Sequence, residues 1–187
     1  FCRIADDVVD KQTGNHNPID DLKTRLNLVY SNKPRDSATD RAFAALVSTY
    51  DLPKELPSAL IEGLQWDYEG RRFETLSELY SYSARVASSV GVMMCILMNV
   101  RDDDALARAC DLGIAMQLTN IARDVGEDAR NDRLYIPLEW MQEYKIDINQ
   151  FFKEPEQFPE ISIFVKQLLA QADIFYKRAG AGYFSLP

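Results

Sequence analysis

The segment from Ala105 to Asp128 constrains the fold more than any other part of the chain. Its apolar residues, among them Leu106, Ala109, Leu112, Leu118, Ile121, Ala122 and Val125, recur at helical spacing. Through them runs one polar stripe, Gln117, Asn120, Asp124 and Asp128, at intervals of three, four and four. Those intervals set all four side chains on one helix face, with neighbouring Cβ atoms about 5–6 Å apart. Apolar residues flank that face on both sides, which is not the make-up of an ordinary solvated stripe. Two carboxylates buried there without partners would cost several kcal/mol each or would take up protons. A hard divalent cation resolves the conflict: Mg²⁺ takes one or two carboxylates, keeps waters and completes its shell with phosphate oxygen. An exposed helix end whose acids face water is the other reading, and spacing alone leaves it open.

The rest of the chain is also helical in pattern, and alternating β-type runs are nearly absent. The first ten residues read as the end of a helix, broken by Thr13-Gly14-Asn15. Asn17-Pro18 supplies a cap and a first-turn proline for a helix reaching about Tyr30. Further helices are expected over Asp36–Tyr50, with Ala42, Phe43, Leu46 and Val47 at core spacing, and from Leu60 to about Tyr68 after a turn bracketed by Pro53 and Pro57. Thr75-Leu76-Ser77-Glu78 has the form of a capping box opening a long helix to about Val100. Asp102-Asp103-Asp104 reads as the N-terminal cap of the next helix rather than as a metal site. A short helix around Trp140, a polar loop, and a last helix from Pro159 to about Ala181 complete an all-α bundle of one domain over residues 1–187.

A second pair at the same spacing, Asp6 and Asp10, lies near the start. Alone this pattern is common, and a solvated acidic helix end is the better explanation of it. Each pair has an Arg upstream, Arg3 one turn before Asp6 and Arg123 directly before Asp124. A guanidinium beside a carboxylate pair suits a diphosphate, which it grips in bidentate fashion while a metal neutralises the same group. An EF-hand over Asp124–Asp132 is rejected, because its sixth position is Ala129 where that loop needs Gly. The run from Tyr80 to Gly91 is rich in small residues and is followed by Val92-Met93-Met94-Cys95-Ile96-Leu97-Met98. Small residues on a helix face admit close packing of another helix, or leave room for an apolar guest to which Met adapts.

Composition narrows the partners. A net charge of −8 argues against nucleic acid or an anionic membrane as an electrostatic partner. Three cysteines, Cys2, Cys95 and Cys110, without C-x-x-C spacing, suggest reduced, buried thiols in a cytoplasmic setting. One histidine, His16, leaves little room for His-based metal or triad chemistry. The chain opens inside an apolar-periodic pattern with no initiator Met, so it is expected to be an internal piece of a longer protein, truncated at both ends.

These residues resemble a known family. Phe1-Cys2-Arg3-Ile4-Ala5-Asp6-Asp7-Val8-Val9-Asp10 resembles the first Asp-rich motif of the squalene/phytoene synthases. Gln117 to Asp128, continued by Arg133-Leu134-Tyr135-Ile136-Pro137, resembles the second. Tyr82 with Val86-Ala87-Ser88-Ser89-Val90-Gly91 is similar to the family's Y-x-x-x-V-A-G-x-V-G stretch, with Ser88 where Gly is frequent and Ala84 where a second Tyr is frequent. The wording around Tyr82 and Met93-Met94 is most similar to bacterial phytoene-forming members. The resemblance implies an isoprenoid-synthase helical bundle with a central cavity. It also implies head-to-head condensation of two geranylgeranyl diphosphates through a cyclopropyl intermediate, prephytoene diphosphate. On that analogy Asp6, Asp10, Asp124 and Asp128 would bind Mg²⁺, with Mn²⁺ as a substitute. Arg3 and Arg123 would hold diphosphate oxygens, and Gln117 and Asn120 would lie near the reacting carbons. Tyr82 would stand beside the carbocation, and Val86, Ala87 and Val90 would line a prenyl tunnel. A peripheral membrane contact for product release would be in keeping with so apolar a product. A fifteen-carbon head-to-head synthase shares the same motifs, and a catalytically dead relative would be expected to have lost one of the four Asp residues.

Overall fold

A computed structural model describes Cys2, Ala5 and residues 17–182. The first Asp pair, Asp6 and Asp10, together with Arg3 and His16, lies outside the described residues. Nine α-helices make up most of the described chain, and no strand occurs among the described residues.

Local rules account for most helix ends. Helix α1 (Pro18–Tyr30) starts with Asn17 accepting the Ile19 N–H at 3.0 Å and Pro18 in its first turn. Its buried face is Ile19, Leu22, Leu26 and Val29, spaced by three and four. Helix α2 (Ala38–Tyr50) begins two residues later than the pattern suggested, because the Ser37 hydroxyl caps the Asp40 N–H at 3.1 Å. Of its expected core residues only Phe43 is buried; Ala42 and Leu46 are exposed and Val47 is half-buried. Its inner face instead carries Asp40, 1% exposed and paired with Arg25 of α1 at 2.6 Å.

Helix α3 (Glu55–Tyr68) begins a full turn before Leu60. Pro57 lies in its first turn, where the missing N–H has no intrahelical partner to lose, so it does not stop the helix. Thr75 caps α4 (Leu76–Ser83) as expected, but Glu78 reaches back to the N–H of Glu74 rather than Thr75. The long helix predicted from Thr75 is interrupted by a π-helical segment, Ala84–Ser88, and resumes as α5 (Ser89–Leu97). Asp102 caps α6 (Asp103–Arg130) through the Ala105 N–H at 2.9 Å, in line with the cap reading of the triple Asp.

After α7 (Leu138–Glu143), the stretch expected to be a polar loop forms α8 (Ile148–Lys153), capped by Asp147, and a short 3₁₀ turn, Pro155–Gln157. Phe151 of α8 is fully buried against Phe158 and the end of α6, so one apolar anchor outweighed the polar composition. The last described helix is α9 (Ile161–Gly180), which packs along α6 more extensively than any other described pair.

Helix α6 is the axis of the bundle. The π segment, α5 and α9 all pack against it. The tightest approach is at Gly113, where an added Cβ would stand 2.5 Å from Ser88 Cα, so only glycine admits the π segment. The Ser88 hydroxyl donates to the Cys110 carbonyl at 2.7 Å across that contact, a bond that a glycine there could not make.

Candidate active site

The polar stripe read from the sequence lies on one face of α6, and the helix delivers it to an apolar cavity. That cavity, about 580 Å³, is walled by the π segment, α5, α6 and the end of α9. Helix α6 contributes Ala105, Arg108, Ala109, Leu112, Gly113, Met116, Gln117 and Asn120, alternating steps of three and one, which is one helical face. Continuing along it by four and four residues gives Asp124 and Asp128. Val86, Ala87 and Val90, expected to line a tunnel, do line this cavity, and so do Gln117 and Asn120. Five expected site residues therefore meet in one place, with the carboxylate pair on the same face beyond them. The volume and the mostly apolar lining with few polar groups are those of a small-molecule pocket.

The two carboxylates differ in environment. Arg123 lays its guanidinium on Asp124 as a fork, Nε to Oδ1 at 2.7 Å and Nη2 to Oδ2 at 2.6 Å. That holds the Asp124 carboxyl below the usual carboxylate range. Asp128, half-buried one turn further on, is pushed up to about 6 by desolvation first and then by the charge of Asp124, with Arg133 opposing. A carboxylate that burial and a neighbouring negative charge make costly to ionise is a site short of positive charge, and its donors are hard oxygens. Both properties fit a divalent cation such as Mg²⁺. Among the described residues no group of three or more His, Cys, Asp or Glu forms a complete metal cage. Asp124 and Asp128 would therefore hold such an ion jointly with oxygens from elsewhere.

Tyr82 is placed differently from the other expected residues. It is not in the cavity wall. Its ring is 3% exposed, and its hydroxyl donates to Asp67 Oδ2 at 2.8 Å. The Tyr135 hydroxyl donates to the other oxygen, Asp67 Oδ1, also at 2.8 Å. The two tyrosine rings stack at 5.3 Å, and Phe73 packs against both. Burial, then the charge of Asp67, raises both phenols well above their ordinary range, so both keep their protons. Asp67 also adds to the field that raises Asp128. Sequence reading missed Asp67. At the end of α3, in Gln65-Trp66-Asp67-Tyr68, it looks like any charged residue at a helix terminus, and only the folded chain brings Tyr82 and Tyr135 to it.

The three cysteines are free thiols; Cys95 is buried in the cavity wall, and Cys2 and Cys110 are half-buried. No helix among the described residues is long and apolar enough to cross a membrane.

Comparison with known proteins accords with this arrangement. The family model described as squalene/phytoene synthase matches residues 1–187. The phytoene synthase of Rhodobacter capsulatus is 51% identical over 190 residues, taking in the whole of this chain and 56% of its own length. That of Cereibacter sphaeroides is 49% identical over 197 residues, again covering this chain completely and 56% of the relative. The chain thus spans about half the length of the curated relatives it matches. Among solved structures, a dehydrosqualene synthase in complex with ligand superimposes with a TM-score of 0.87 at 28% identity, over the whole chain and 65% of that structure. The squalene synthase HpnC of Alicyclobacillus acidocaldarius, at 19% identity and a TM-score of 0.88 over the whole chain and 70% of its own, shares the fold. With a family match along its entire length and relatives at about half identity, this chain belongs to the squalene/phytoene synthase family.

Proposed function

We propose that the chain forms the metal-binding and prenyl-binding part of a phytoene synthase, which condenses two geranylgeranyl diphosphates head to head, through prephytoene diphosphate, to phytoene. One observation carries this reading: Gln117 and Asn120 in the cavity wall are followed along α6 by Asp124 and Asp128 at four-residue steps, so a diphosphate held at the carboxylates would have its hydrocarbon tail directed towards the cavity. The reading places the product in carotenoid biosynthesis, as the names of the phytoene synthases that it matches suggest.

Ionising an allylic diphosphate requires its developing charge to be neutralised as it leaves. Mg²⁺, or Mn²⁺ in its place, would supply that charge, held by Asp124 and Asp128 and, from the first motif, by Asp6 and Asp10. Arg123, two-thirds exposed and already shaped around a carboxylate, would exchange Asp124 for diphosphate oxygens. Arg3 would do the same from the first motif. Gln117 and Asn120 stand where the cavity turns polar and would orient the reacting carbons. Val86, Ala87 and Val90 would keep water from the carbocation. Tyr82, tied to Asp67, would act from behind this wall by fixing the aromatic cluster on which the site rests. The enzyme would work in the cytoplasm, touching a membrane surface peripherally to release so apolar a product.

The test is incubation of the full-length enzyme with Mg²⁺ and either geranylgeranyl or farnesyl diphosphate, without NADPH. A forty-carbon hydrocarbon is expected, and Asp124→Asn is expected to abolish it. Turnover of the fifteen-carbon substrate alone would overturn the reading in favour of a dehydrosqualene-type synthase.

A further inference from the structure

We propose that Arg108, clamped by Asp111 and Arg178, is the end stop of the hydrocarbon cavity and limits the substrate to twenty carbons. The inference rests on the reading that the cavity holds a prenyl tail whose diphosphate sits at Asp124.

From Gln117 towards the N-terminus of α6, the residues that follow on the cavity face are apolar or glycine until it reaches Arg108, with Ala105 one turn beyond. The Arg108 guanidinium is taken up by protein partners. Its Nη1 donates to Asp111 Oδ2 at 2.8 Å, and the other oxygen of Asp111 takes Arg178 Nη2 at 2.8 Å. Asp111 is 4% exposed, so this is a buried carboxylate that needs both partners. Arg108 Nη1 also reaches the Arg178 carbonyl at 3.3 Å, near the C-terminus of α9. The stem of Arg108 is fixed as well, because the turn after α9 lies on it: a Cβ on Gly182 would come within 2.4 Å of Arg108 Cβ. Head and stem are both immobilised. Methionines elsewhere in the wall, Met94, Met98 and Met116, can bend away from a tail; Arg108 moves aside only by giving up its bond to the buried Asp111.

The position of this barrier matches a length. Arg108 precedes Asp124 by sixteen residues, about 24 Å along a helix rising 1.5 Å per residue. Two metal–oxygen bonds of about 2 Å each would take up roughly 4 Å of that at the diphosphate end. An extended prenyl chain advances about 5 Å per five-carbon unit, given C–C bonds of about 1.5 Å. Four units fill the remaining 20 Å or so. Three leave a gap of one unit, and a fifth would have to pass Arg108.

The experiment measures kcat/KM of the full-length enzyme for fifteen-, twenty- and twenty-five-carbon all-trans prenyl diphosphates with Mg²⁺. It compares wild type with an Arg108→Ala/Asp111→Asn double variant, which removes the stop without stranding a buried charge, and with Leu112→Trp, which moves the stop one turn towards Asp124. The double variant is expected to raise the twenty-five- to twenty-carbon ratio at least tenfold. Leu112→Trp is expected to raise the fifteen- to twenty-carbon ratio by a similar factor. Ratios within twofold of wild type in whichever of the two variants folds would overturn the stop. If wild type instead uses only the fifteen-carbon substrate, the phytoene synthase reading fails. The stop then survives only if removing Arg108 extends the range by one unit, and it falls if the range stays put.

Discussion

Replacing Asp128 by Asn should stabilise the metal-free protein at neutral pH while destroying its response to metal. Burial and the charge of Asp124 raise the Asp128 carboxyl from 3.8 to about 6. Between those values the native state binds more protons than the unfolded state, so stability falls as pH rises through about 4 to 6 and stays lowered above it. A shift of about two units corresponds to at most about 3 kcal/mol. The side chain is only half-buried, so solvent screening reduces this to about 1.5 kcal/mol. At pH 4.5 only about a third of the penalty has set in, or about 0.5 kcal/mol. For a chain of this size each kcal/mol moves Tm by roughly 2–4 °C. Thermal melts in EDTA should therefore show Asp128→Asn above wild type by about 3–6 °C at pH 7.5 and by about 1–2 °C at pH 4.5. Adding Mg²⁺ with inorganic pyrophosphate should raise the wild-type Tm and leave the variant unmoved. A variant that melts below wild type at pH 7.5 in EDTA, or whose advantage does not grow with pH, would refute the idea that Asp128 is held ionised at a cost that metal binding relieves.

Two further perturbations test the frame around the site. Gly113→Ala would put a Cβ 2.5 Å from Ser88 Cα and 2.6 Å from Ser88 N, atoms of backbone that cannot rotate away. The overpacking should cost about 1–3 kcal/mol, read as a lower midpoint in urea at unchanged m-value; an unaltered midpoint would mean α6 and the π segment are not in such close contact. Tyr82→Phe and Tyr135→Phe each remove one phenol from Asp67 and should each destabilise by about 1.5–3 kcal/mol, as for hydrogen bonds to a charged group. Because they share one carboxylate, the double variant should depart from additivity by at least about 0.5 kcal/mol, and strict additivity would show that the two hydroxyls act independently.

How much of this was legible in the sequence depends on the range of the interaction that decides each feature. The stripe Gln117, Asn120, Asp124 and Asp128 was readable because helical period alone places it, and the caps at Asn17, Thr75 and Asp102 because their partners lie two or three residues away. The cavity lining of Val86, Ala87 and Val90 came from the family resemblance, and the structure does bring them together. Features set by distant partners were not readable. The turn bracketed by prolines failed because Pro57 is harmless inside a first turn, and the polar loop failed because one buried ring, Phe151, organises α8. The π segment has no local signature; its contacts with Gly113 and Cys110 are made across the bundle. Asp67 was invisible because its partners are 15 and 68 residues away.

The division of labour along α6 explains why one helix carries so much of the site. A diphosphate and its hydrocarbon tail need opposite solvents a few ångströms apart, and the reacting carbon lies at the boundary. A long helix packed on several sides is rigid enough to fix that boundary, because its face presents a residue every three or four positions whatever the chemistry of each. Here the face runs from Ala109 and Leu112 through Gln117 and Asn120 to Asp124 and Asp128, so polarity rises in the order in which the substrate needs it. The supporting contacts follow the same gradient. At the apolar end the helix is gripped by close packing, Gly113 on Ser88, and by the Arg108–Asp111–Arg178 ion network. Near the acidic end the adjoining structure is held by hydrogen bonds to charge, with Asp67 gathering Tyr82 and Tyr135. A substitution that loosens either grip shifts the boundary relative to the reacting carbon, so its effect on turnover should exceed its effect on stability.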